Sequence, residues 1–388
     1  MVGRDEEQSD MAGKYAGLGL VPVGFVMFCA MLPTYTPPIE VSISDPLISS
    51  IAFGVASGLT IASMAVAVLL CALVTWTRAL DPRLLGCLGA LLSAFGNLAS
   101  ALAASLPFFY LGRGVSGAGI GITLALMNRL IASSEKAERA YGSVYGAMTI
   151  TTAAMLFALE YLTEKLGKVA VYGIQALFWV ACVGLILRIL PDTGGGDFRH
   201  KRDDQPRSKR PILFVVFFCL TIVGQSGIWA LVSWRGELIG LSVFESGLSL
   251  TIATLGGAFA SFLIGRIGFI YSPRFSLAGC AGLAAVSCLA VMTVSNTIIF
   301  IFCCGFFGLI LMAVICYIFG AAAAMDRTGD YAVIVQGLFF FPYAAGPALF
   351  SMLNAHLTSV QLGALAFSMC LLGAITALRM EMLHDREM

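Results

Sequence analysis

The chain has few charged residues for its length. Only 12% of its 388 residues are Asp, Glu, Lys or Arg, whereas 59% are hydrophobic. A soluble domain of this size would need a much more polar surface. The composition therefore excludes a soluble enzyme and indicates a protein that resides in a lipid bilayer.

Residues that usually carry catalysis or metal binding are also scarce. The three histidines, His200, His356 and His384, lie in predicted loops or in the tail. The Gly-rich P-loop pattern of ATP-driven motors is absent. All eleven cysteines lie within apolar stretches and none forms a CxxC pair, so they behave as small hydrophobic residues. We expect no catalytic residues, no metal site, no disulfide, no cofactor and no nucleic-acid partner.

What the chain does contain is a series of twelve apolar stretches, each long enough to cross a hydrocarbon core of about 30 Å. The first runs into Pro37-Pro38 and lacks a small-residue cleavage site, so it is predicted to be a membrane helix and not a signal peptide. The predicted spans are 15–36, 48–77, 84–105, 107–132, 141–162, 168–190, 211–234, 244–266, 274–296, 297–323, 331–354 and 358–379.

The basic residues are distributed unevenly between the two sides of this pattern. Lys165, Lys168 and Arg235 fall in odd-numbered loops, and Arg113 lies well inside a span; the other Lys and Arg residues lie at the termini or near even-numbered loops. Because cytoplasmic loops are enriched in Lys and Arg, both termini are predicted to be cytoplasmic. Short loops without a large extramembrane domain favour a bacterial inner membrane.

The chain is predicted to consist of two six-helix halves, residues 1–190 and 211–388, joined by a cytoplasmic linker at 191–210. The linker combines a Gly194-Gly195-Gly196 run with many basic residues. Two loop signatures recur: Asp81-Pro82-Arg83 as Ser272-Pro273-Arg274, and Tyr141 as Tyr331. Both pairs are separated by nearly the same number of residues, which favours an internal duplication.

In this setting the run from Leu111 to Gly121, an Arg-Gly followed by closely spaced small residues, resembles the fourth-helix motif of the major facilitator superfamily of secondary transporters. The loop between helices 2 and 3 retains Arg78, Asp81 and Arg83 of the family motif. Residues 146–159 contain no proline, so the antiporter motif of helix 5 is missing. The resemblance implies an all-α fold of two pseudo-symmetric six-helix bundles, with access to a site between them alternating across the membrane.

Arg113 is the strongest candidate for a functional residue. It lies about six residues inside helix 4, roughly 9 Å from the helix end. An intramembrane guanidinium is costly unless it has a partner, and it suits the recognition of carboxylate, phosphate or sulfonate groups. Arg113 is therefore predicted to bind substrate or to brace the neighbouring helices. Glu160, predicted near the outer end of helix 5, could pair with Arg113 and carry a proton, or simply mark the membrane interface.

Other predicted substrate contacts combine hydrogen-bonding and aromatic groups. Gln225 and Trp229 share one face of helix 7, where a buried amide needs a partner. Pro342 is predicted to kink helix 11 beside Phe341 and Tyr343. Tyr317 in helix 10 and Tyr35 at the outer end of helix 1 are weaker candidates. Lipid-facing packing is the alternative explanation for Trp229, and packing within the protein is the alternative for Phe341 and Tyr343.

A cytoplasmic gate is predicted from the charged residues of the even-numbered loops. Ion pairs of Asp81 with Arg139, and of Asp326 or Asp330 with Arg274, would form when the inner side is closed. Each exposed pair contributes only about 0–1 kcal/mol, enough to bias a balanced two-state equilibrium. Arg83 and Asn128, which lies near the inner end of helix 4, complete this predicted gate. Topology setting is the alternative role for these charges.

The sequence as a whole predicts a monomeric secondary transporter in contact with membrane lipid. Its substrate is expected to be a small amphiphilic or aromatic organic anion. Proton-coupled uptake, export and simple exchange are the three open mechanisms. A multidrug or metabolite efflux antiporter is the first alternative. A non-transporting membrane sensor or assembly factor is the alternative from another class.

Overall fold

The computed structural model describes residues 20–36, 50–77, 81–132, 134, 136–190, 211–269, 272–325 and 330–380. Within these ranges the chain forms twelve α-helices. They are α1 (Leu20–Tyr35), α2 (Ser50–Thr77), α3 (Pro82–Ala101), α4 (Leu106–Ala132), α5 (Ala137–Leu166), α6 (Lys168–Ile189), α7 (Pro211–Leu238), α8 (Val243–Ile267), α9 (Pro273–Thr293), α10 (Thr297–Met325), α11 (Asp330–Asn354) and α12 (Ser359–Leu378).

The all-α prediction is confirmed, and the described part of the chain forms the twelve helices that the sequence predicts. Nine helices in the described residues are long and apolar enough to cross a membrane. Two shorter apolar segments, Pro22–Tyr35 and Gly58–Ala72, lie within α1 and α2. Apolar runs predict these elements well because a backbone in hydrocarbon must satisfy its hydrogen bonds internally, which a helix does.

Local sequence signals set several helix starts. α3 and α9 both begin with a proline at their first position, Pro82 and Pro273. Proline is favoured there because that N–H has no partner within the helix. Asp81 caps α3 by accepting a hydrogen bond from Arg83 N at 2.9 Å. The loop motif that the sequence repeats is therefore a helix-start signal in both copies.

Reciprocal capping boxes begin two other helices, α8 and α12. Ser242 and Glu245 form the first box, and Thr358 and Gln361 form the second. In each box the residue that precedes the helix and the third helical residue satisfy each other's backbone N–H groups. Two hydrogen bonds that Ser242 donates lower the pKa of Glu245. The larger effect comes from the backbone N–H of Ser242 and the smaller one from its hydroxyl.

The described helices group into two compact units. Unit 1 comprises Met1–Glu135, Ala154–Asp203 and Thr328–Gly337, and unit 2 comprises Lys136–Ala153, Asp204–Arg327 and Leu338–Met388. The beginning of α5 thus belongs to unit 2 and the beginning of α11 to unit 1. In unit 2 a Cβ on Gly142 would lie 2.6 Å from the Cα of Gly265 in α8, and in unit 1 a Cβ on Gly337 would lie 2.7 Å from a Leu69 methyl group of α2. The predicted halves at 1–190 and 211–388 stay a prediction.

Glycines bring helix backbones into direct contact in both units. In unit 1, a Cβ on Gly112 of α4 would lie 2.9 Å from the carbonyl oxygen of Gly96 in α3. Gly121 faces α2, where a Cβ would lie 2.7 Å from the Ala67 methyl group. In unit 2, a Cβ on Gly257 of α8 would lie 3.2 Å from the carbonyl oxygen of Gly308 in α10. Small residues allow such close packing in membranes, where it replaces the hydrophobic effect as the main attraction between helices.

Two of the three basic residues that the sequence places in odd-numbered loops have a structural role. Lys168 Nζ donates to the Ala103 carbonyl oxygen, just past the end of α3, at 3.0 Å. Arg235 Nη2 donates to the Val294 carbonyl oxygen, just past the end of α9, at 3.0 Å. A cation at a helix C-terminus satisfies a carbonyl group and interacts favourably with the helix dipole. α3 and α9 occupy equivalent positions in the predicted repeat, so the two caps support a duplication.

The glycine contacts yield a paired test in α4. At Gly117 a Cβ would overlap the Thr60 carbonyl oxygen and Ser63 Oγ of α2, whereas at Gly114 the nearest neighbour is a Leu59 methyl group at 3.9 Å. We expect Gly117→Ala to lower the free energy of unfolding by about 1–3 kcal/mol, as overpacking does. Gly114→Ala should leave the thermal unfolding temperature unchanged or slightly higher, because alanine favours a helix. Equal unfolding temperatures for the two variants would contradict the close α2–α4 contact.

Candidate functional site

Arg113 is fully buried within unit 1. It lies seven residues after the start of α4. Its Nη1 donates to Asn97 Oδ1 of α3 at 3.0 Å. Its Nε and Nη2 have no hydrogen-bond partner among the described residues. The guanidinium therefore keeps two donor groups available inside the unit.

Asn97 is oriented by its own hydrogen bonds. Its Nδ2 donates to Ser116 Oγ at 3.0 Å and to the Ser93 carbonyl oxygen at 2.9 Å. Because both acceptors lie on the Nδ2 side, the carbonyl oxygen Oδ1 faces Arg113. Asn97 is itself fully buried. This arrangement holds one edge of the guanidinium and leaves the other edge without a described polar contact.

An aromatic ring covers the face of the guanidinium. Arg113 Cζ lies 4.8 Å from the centroid of the Tyr172 ring in α6. Tyr172 is in turn 5.6 Å, centroid to centroid, from the Phe109 ring in α4. A cation over an aromatic face gains about 2 kcal/mol or more when both are desolvated. Residues from three helices, α3, α4 and α6, thus fix the position of one charge.

The described neighbours of Arg113 are neutral. The described carboxylate side chains are Asp81, Glu237 and Glu245, and all three lie at helix ends. A buried charge costs several kcal/mol unless hydrogen bonds and an opposite charge compensate for it. Asn97 and Tyr172 supply part of that compensation. An anion placed at Nε and Nη2 would supply the remainder.

A second buried polar group lies in unit 2, on α7. Gln225 is fully buried, and neither its amide nitrogen nor its amide oxygen has a described hydrogen-bond partner. One turn further along the helix, the Trp229 ring stacks on Phe307 of α10 at 6.4 Å with an interplanar angle of 9°. The two residues combine an amide with a flat aromatic surface, the combination predicted for a substrate contact.

The remaining predicted aromatic contacts are spread over several places. Tyr317 donates to the Gly268 carbonyl oxygen at 3.3 Å. Tyr343 stacks on Phe339 at 5.6 Å. Phe341 has 49% of its surface exposed. Tyr35 is buried at the end of α1. The structure does not bring these residues into one described cluster, and their role in binding stays a prediction.

Tyr343 belongs to a continuous set of neighbouring aromatic rings in unit 2, most of them stacked. From Phe339 the set continues to Phe319 at 5.5 Å, and from Phe319 to Tyr141 at 5.5 Å and Tyr145 at 6.0 Å. Tyr141 and Tyr145 are both buried. This set joins the beginning of α5 to α10 and α11.

Several of the predicted gate residues contact neighbouring backbone groups or an aromatic ring. Asp81 caps α3, as described above. Arg83, in the first turn of α3, donates from Nε to the Leu190 carbonyl oxygen at 2.6 Å. Arg139 Nη2 donates to the Ile267 carbonyl oxygen at 3.3 Å. The Arg274 guanidinium lies 4.7 Å from the centroid of the Phe275 ring. The ion pairs proposed between these loops stay predictions.

Asn128 has a partner that the sequence did not reveal. Its Nδ2 donates to Gln336 Oε1 of α11 and to the Leu124 carbonyl oxygen. Asn128 and Gln336 are both buried within unit 1. Three other predicted residues lie outside what the structure describes. They are Asp326 and, as side chains, Glu160 and Asp330.

Sequence reasoning missed Asn97, Tyr172, Gln175 and Gln336. Asn97, Gln175 and Gln336 are amides inside predicted membrane helices, the same signal that singled out Gln225. Applied uniformly, that signal would have found three of the four residues. Tyr172 carried no signal of its own, because only the structure shows which ring lies over the guanidinium.

Similarity searches place this polytopic helical membrane protein among the transporters. The sequence profile of the Major Facilitator Superfamily matches residues 16–351, so the chain belongs to that superfamily. No curated protein sequence matches it significantly.

Several solved structures share the fold at low sequence identity. The human organic anion transporter MFSD10 (TETRAN) has 16% identity and a TM-score of 0.72, covering 93% of this chain and 97% of that one. The E. coli fucose:proton symporter FucP has 13% identity and a TM-score of 0.67, covering 92% and 97%. The proton:xylose symporter XylE has 14% identity and a TM-score of 0.65, covering 92% and 93%. At these identities the similarity shows a common fold.

The hydrogen bond from Arg113 to Asn97 can be tested by its effect on stability. We expect Asn97→Leu to lower the free energy of unfolding by about 1.5–3 kcal/mol, because it removes the acceptor of a buried charged donor. Ser116→Ala, which removes only a neutral partner of Asn97, should cost about 1 kcal/mol. Thermal unfolding in detergent would measure both. A Ser116→Ala loss equal to or above that of Asn97→Leu would show that Arg113 does not depend on Asn97.

Proposed function

We propose that this member of the Major Facilitator Superfamily transports a small organic anion, and that Arg113 binds the anionic group. The observation that carries this proposal is the fully buried guanidinium whose described partners are a neutral amide and an aromatic ring. Its Nε and Nη2 can donate two parallel hydrogen bonds, the geometry that carboxylates accept. Family membership supplies the transport function, and the charge supplies the substrate class.

The organic anion transporter among the structural relatives is consistent with this class of substrate. The fucose and xylose symporters among them show that the same fold also accommodates neutral sugars. A sugar site needs many hydroxyl partners, whereas the two polar regions described here each offer few groups. A charged group with an apolar or aromatic body fits them better.

The orientation of the chain in the membrane is also part of the proposal. The excess of Lys and Arg in even-numbered loops supports cytoplasmic termini, and the short loops favour a bacterial inner membrane. A fluorescent protein fused after Met388 should then be fluorescent, because it matures on the cytoplasmic side. A dark fusion in intact, expressing cells would reverse the proposed orientation.

The coupling mechanism remains part of the proposal. Glu160 is the predicted proton carrier and Arg113 its predicted partner. A carboxylate that pairs with Arg113 in one state and takes up a proton in another would couple the proton gradient to anion release. Under this mechanism, uptake driven by an imposed proton gradient should be lost in Glu160→Gln while exchange of anions persists. Gradient-driven uptake in that variant would exclude Glu160 as the carrier.

One observation favours a second candidate function, the export of aromatic drugs or metabolites. Gln225 and the stacked Trp229–Phe307 pair offer an amide and a flat surface without a charge. If this region determines the substrate, expression should give broad drug resistance that Gln225→Ala and Trp229→Ala abolish. Unchanged drug sensitivity on expression would exclude export of these drugs.

A thermal-shift screen tests the organic-anion proposal. The purified chain would be heated with organic anions, organic cations, neutral sugars and drugs. A ligand that binds only the folded state at about 100 times its Kd adds about 2.7 kcal/mol of stability. We expect stabilisation by organic anions, lost in Arg113→Ala. Stabilisation by cations or sugars alone, or equal shifts in the variant, would contradict the proposal.

Asn97→Asp gives a sharper version of the same screen. The new carboxylate would lie beside Arg113 and neutralise it, so the anion response should disappear. Its second oxygen would replace the Asn97 Nδ2 donor and face the Ser93 carbonyl oxygen, so the unliganded protein should unfold at a somewhat lower temperature than wild type. Asn296→Asp is the matched control, because Asn296 is exposed and caps the start of α10, where Asp is equally suitable. An Asn97→Asp variant that folds and still responds fully to anions would rule out Arg113 as the anion contact.

A further inference from the structure

The buried side of α6 carries polar groups that no described residue satisfies. Gln175 is 2% exposed and Trp179 is fully buried. Neither the amide nitrogen and oxygen of Gln175 nor the indole nitrogen of Trp179 has a hydrogen-bond partner among the described residues. Native proteins pair nearly all such groups, and bulk water is not available inside a bilayer. These two residues therefore need an explanation that packing does not give.

The position of these groups links them to Arg113. Tyr172, Gln175 and Trp179 lie three and four residues apart, so they share the buried side of α6. Tyr172 at one end of this row contacts the Arg113 guanidinium. The row continues from that contact by about two helical turns, or roughly 10 Å. All four residues belong to unit 1.

The helices around this row hold it inside the unit. α6 packs on α3, where a Cβ on Gly86 would lie 2.9 Å from an Ile186 methyl group. It packs on α1 through the rings of Phe28 and Phe178, which are 5.8 Å apart. Gln175 and Trp179 thus face a protein interior and not lipid.

We infer that Gln175 and Trp179 form a second polar contact for the ligand whose anionic group binds Arg113. The inference rests on the proposed function of Arg113 and adds a further feature of the substrate. The ligand would carry a hydrogen-bonding substituent at the end of its apolar body away from the anionic group. The indole N–H of Trp179 would donate to that substituent, and the Gln175 amide could donate or accept. An aromatic body would pack between these groups beside Tyr172.

Two ligands of nearly equal shape separate this contact from the anion contact. Para-hydroxybenzoate and para-methylbenzoate share the carboxylate and the ring, and only the first can form a hydrogen bond at its far end. Binding of both to the purified full-length chain would be measured by titration calorimetry. We expect roughly tenfold tighter binding of para-hydroxybenzoate, the ratio that one good hydrogen bond can produce. This comparison needs no variant.

Variants assign the preference to α6. Gln175→Leu and Trp179→Phe remove the polar groups and keep most of the volume, so each should reduce the preference while leaving the Kd for para-methylbenzoate unchanged within about twofold. Gln175→Leu should also unfold at the same or a higher temperature without ligand, because it removes a buried amide that lacks a described partner. Trp234→Phe, the same change in a half-buried residue near the end of α7, is the control and should keep the full preference.

The possible results separate the two proposals. If wild type binds neither benzoate at millimolar concentration, the anion site at Arg113 is wrong for this class and the inference fails with it. If both bind with equal affinity, the proposed function stands, while Gln175 and Trp179 do not contact the ligand and instead hold bound water. A preference that persists in Gln175→Leu and Trp179→Phe would equally overturn their role. A clear loss of stability in unliganded Gln175→Leu would make Gln175 a structural residue.

Discussion

A single buried positive charge is the constraint on which the packing of α3, α4 and α6 in unit 1 depends. Arg113 has no exposed surface, and a charge in that position is tolerated only with partners that replace its water shell. Asn97 supplies an oriented carbonyl oxygen, and Tyr172 supplies the face of a ring. Ser116 contributes indirectly, because its hydroxyl helps to fix the Asn97 amide. Because Asn97 and Tyr172 are neutral, they leave the charge of Arg113 uncompensated, and the proposed anion would neutralise it.

That polar arrangement requires helix backbones that approach closely, and the glycines of α3 and α4 provide the approach. A Cβ on Gly112 would meet the Gly96 carbonyl oxygen, so larger residues there would separate the helices that carry Asn97 and Arg113. The helix ends are fixed by a different means. Lys168 and Arg235 each bind a carbonyl group just past a neighbouring helix. Close backbone contact between α3 and α4 and the Lys168 cap at the end of α3 therefore hold α3, α4 and α6 around one guanidinium, while Arg235 caps α9 in unit 2.

The sequence predicted the helices better than it predicted the site. Apolar runs determine where a chain crosses a bilayer, and the twelve predicted spans agree with the helices because length and hydropathy suffice for that purpose. A charge inside a span is equally visible, so Arg113 was found. Its partners were not, because the positions of Asn97 and Tyr172 in the sequence do not reveal which helices they face. The glycines of α4 show the same limit. Gly114, Gly117 and Gly121 recur every three or four residues, yet only Gly117 and Gly121 are in tight contact with α2. Gln175 was missed although it resembles Gln225, since choosing between two buried amides requires knowing their neighbours.

The most direct test of the central claim is counterflow of a labelled organic anion in proteoliposomes. Vesicles containing the purified chain would be loaded with unlabelled benzoate and diluted into a trace of labelled benzoate. If a buried guanidinium that is neutralised by its substrate is the basis of transport, wild type should accumulate the label transiently, and Arg113→Lys should do so weakly because an ammonium group cannot reproduce the paired hydrogen bonds. No accumulation by folded wild type, or equal accumulation by both proteins, would contradict the account.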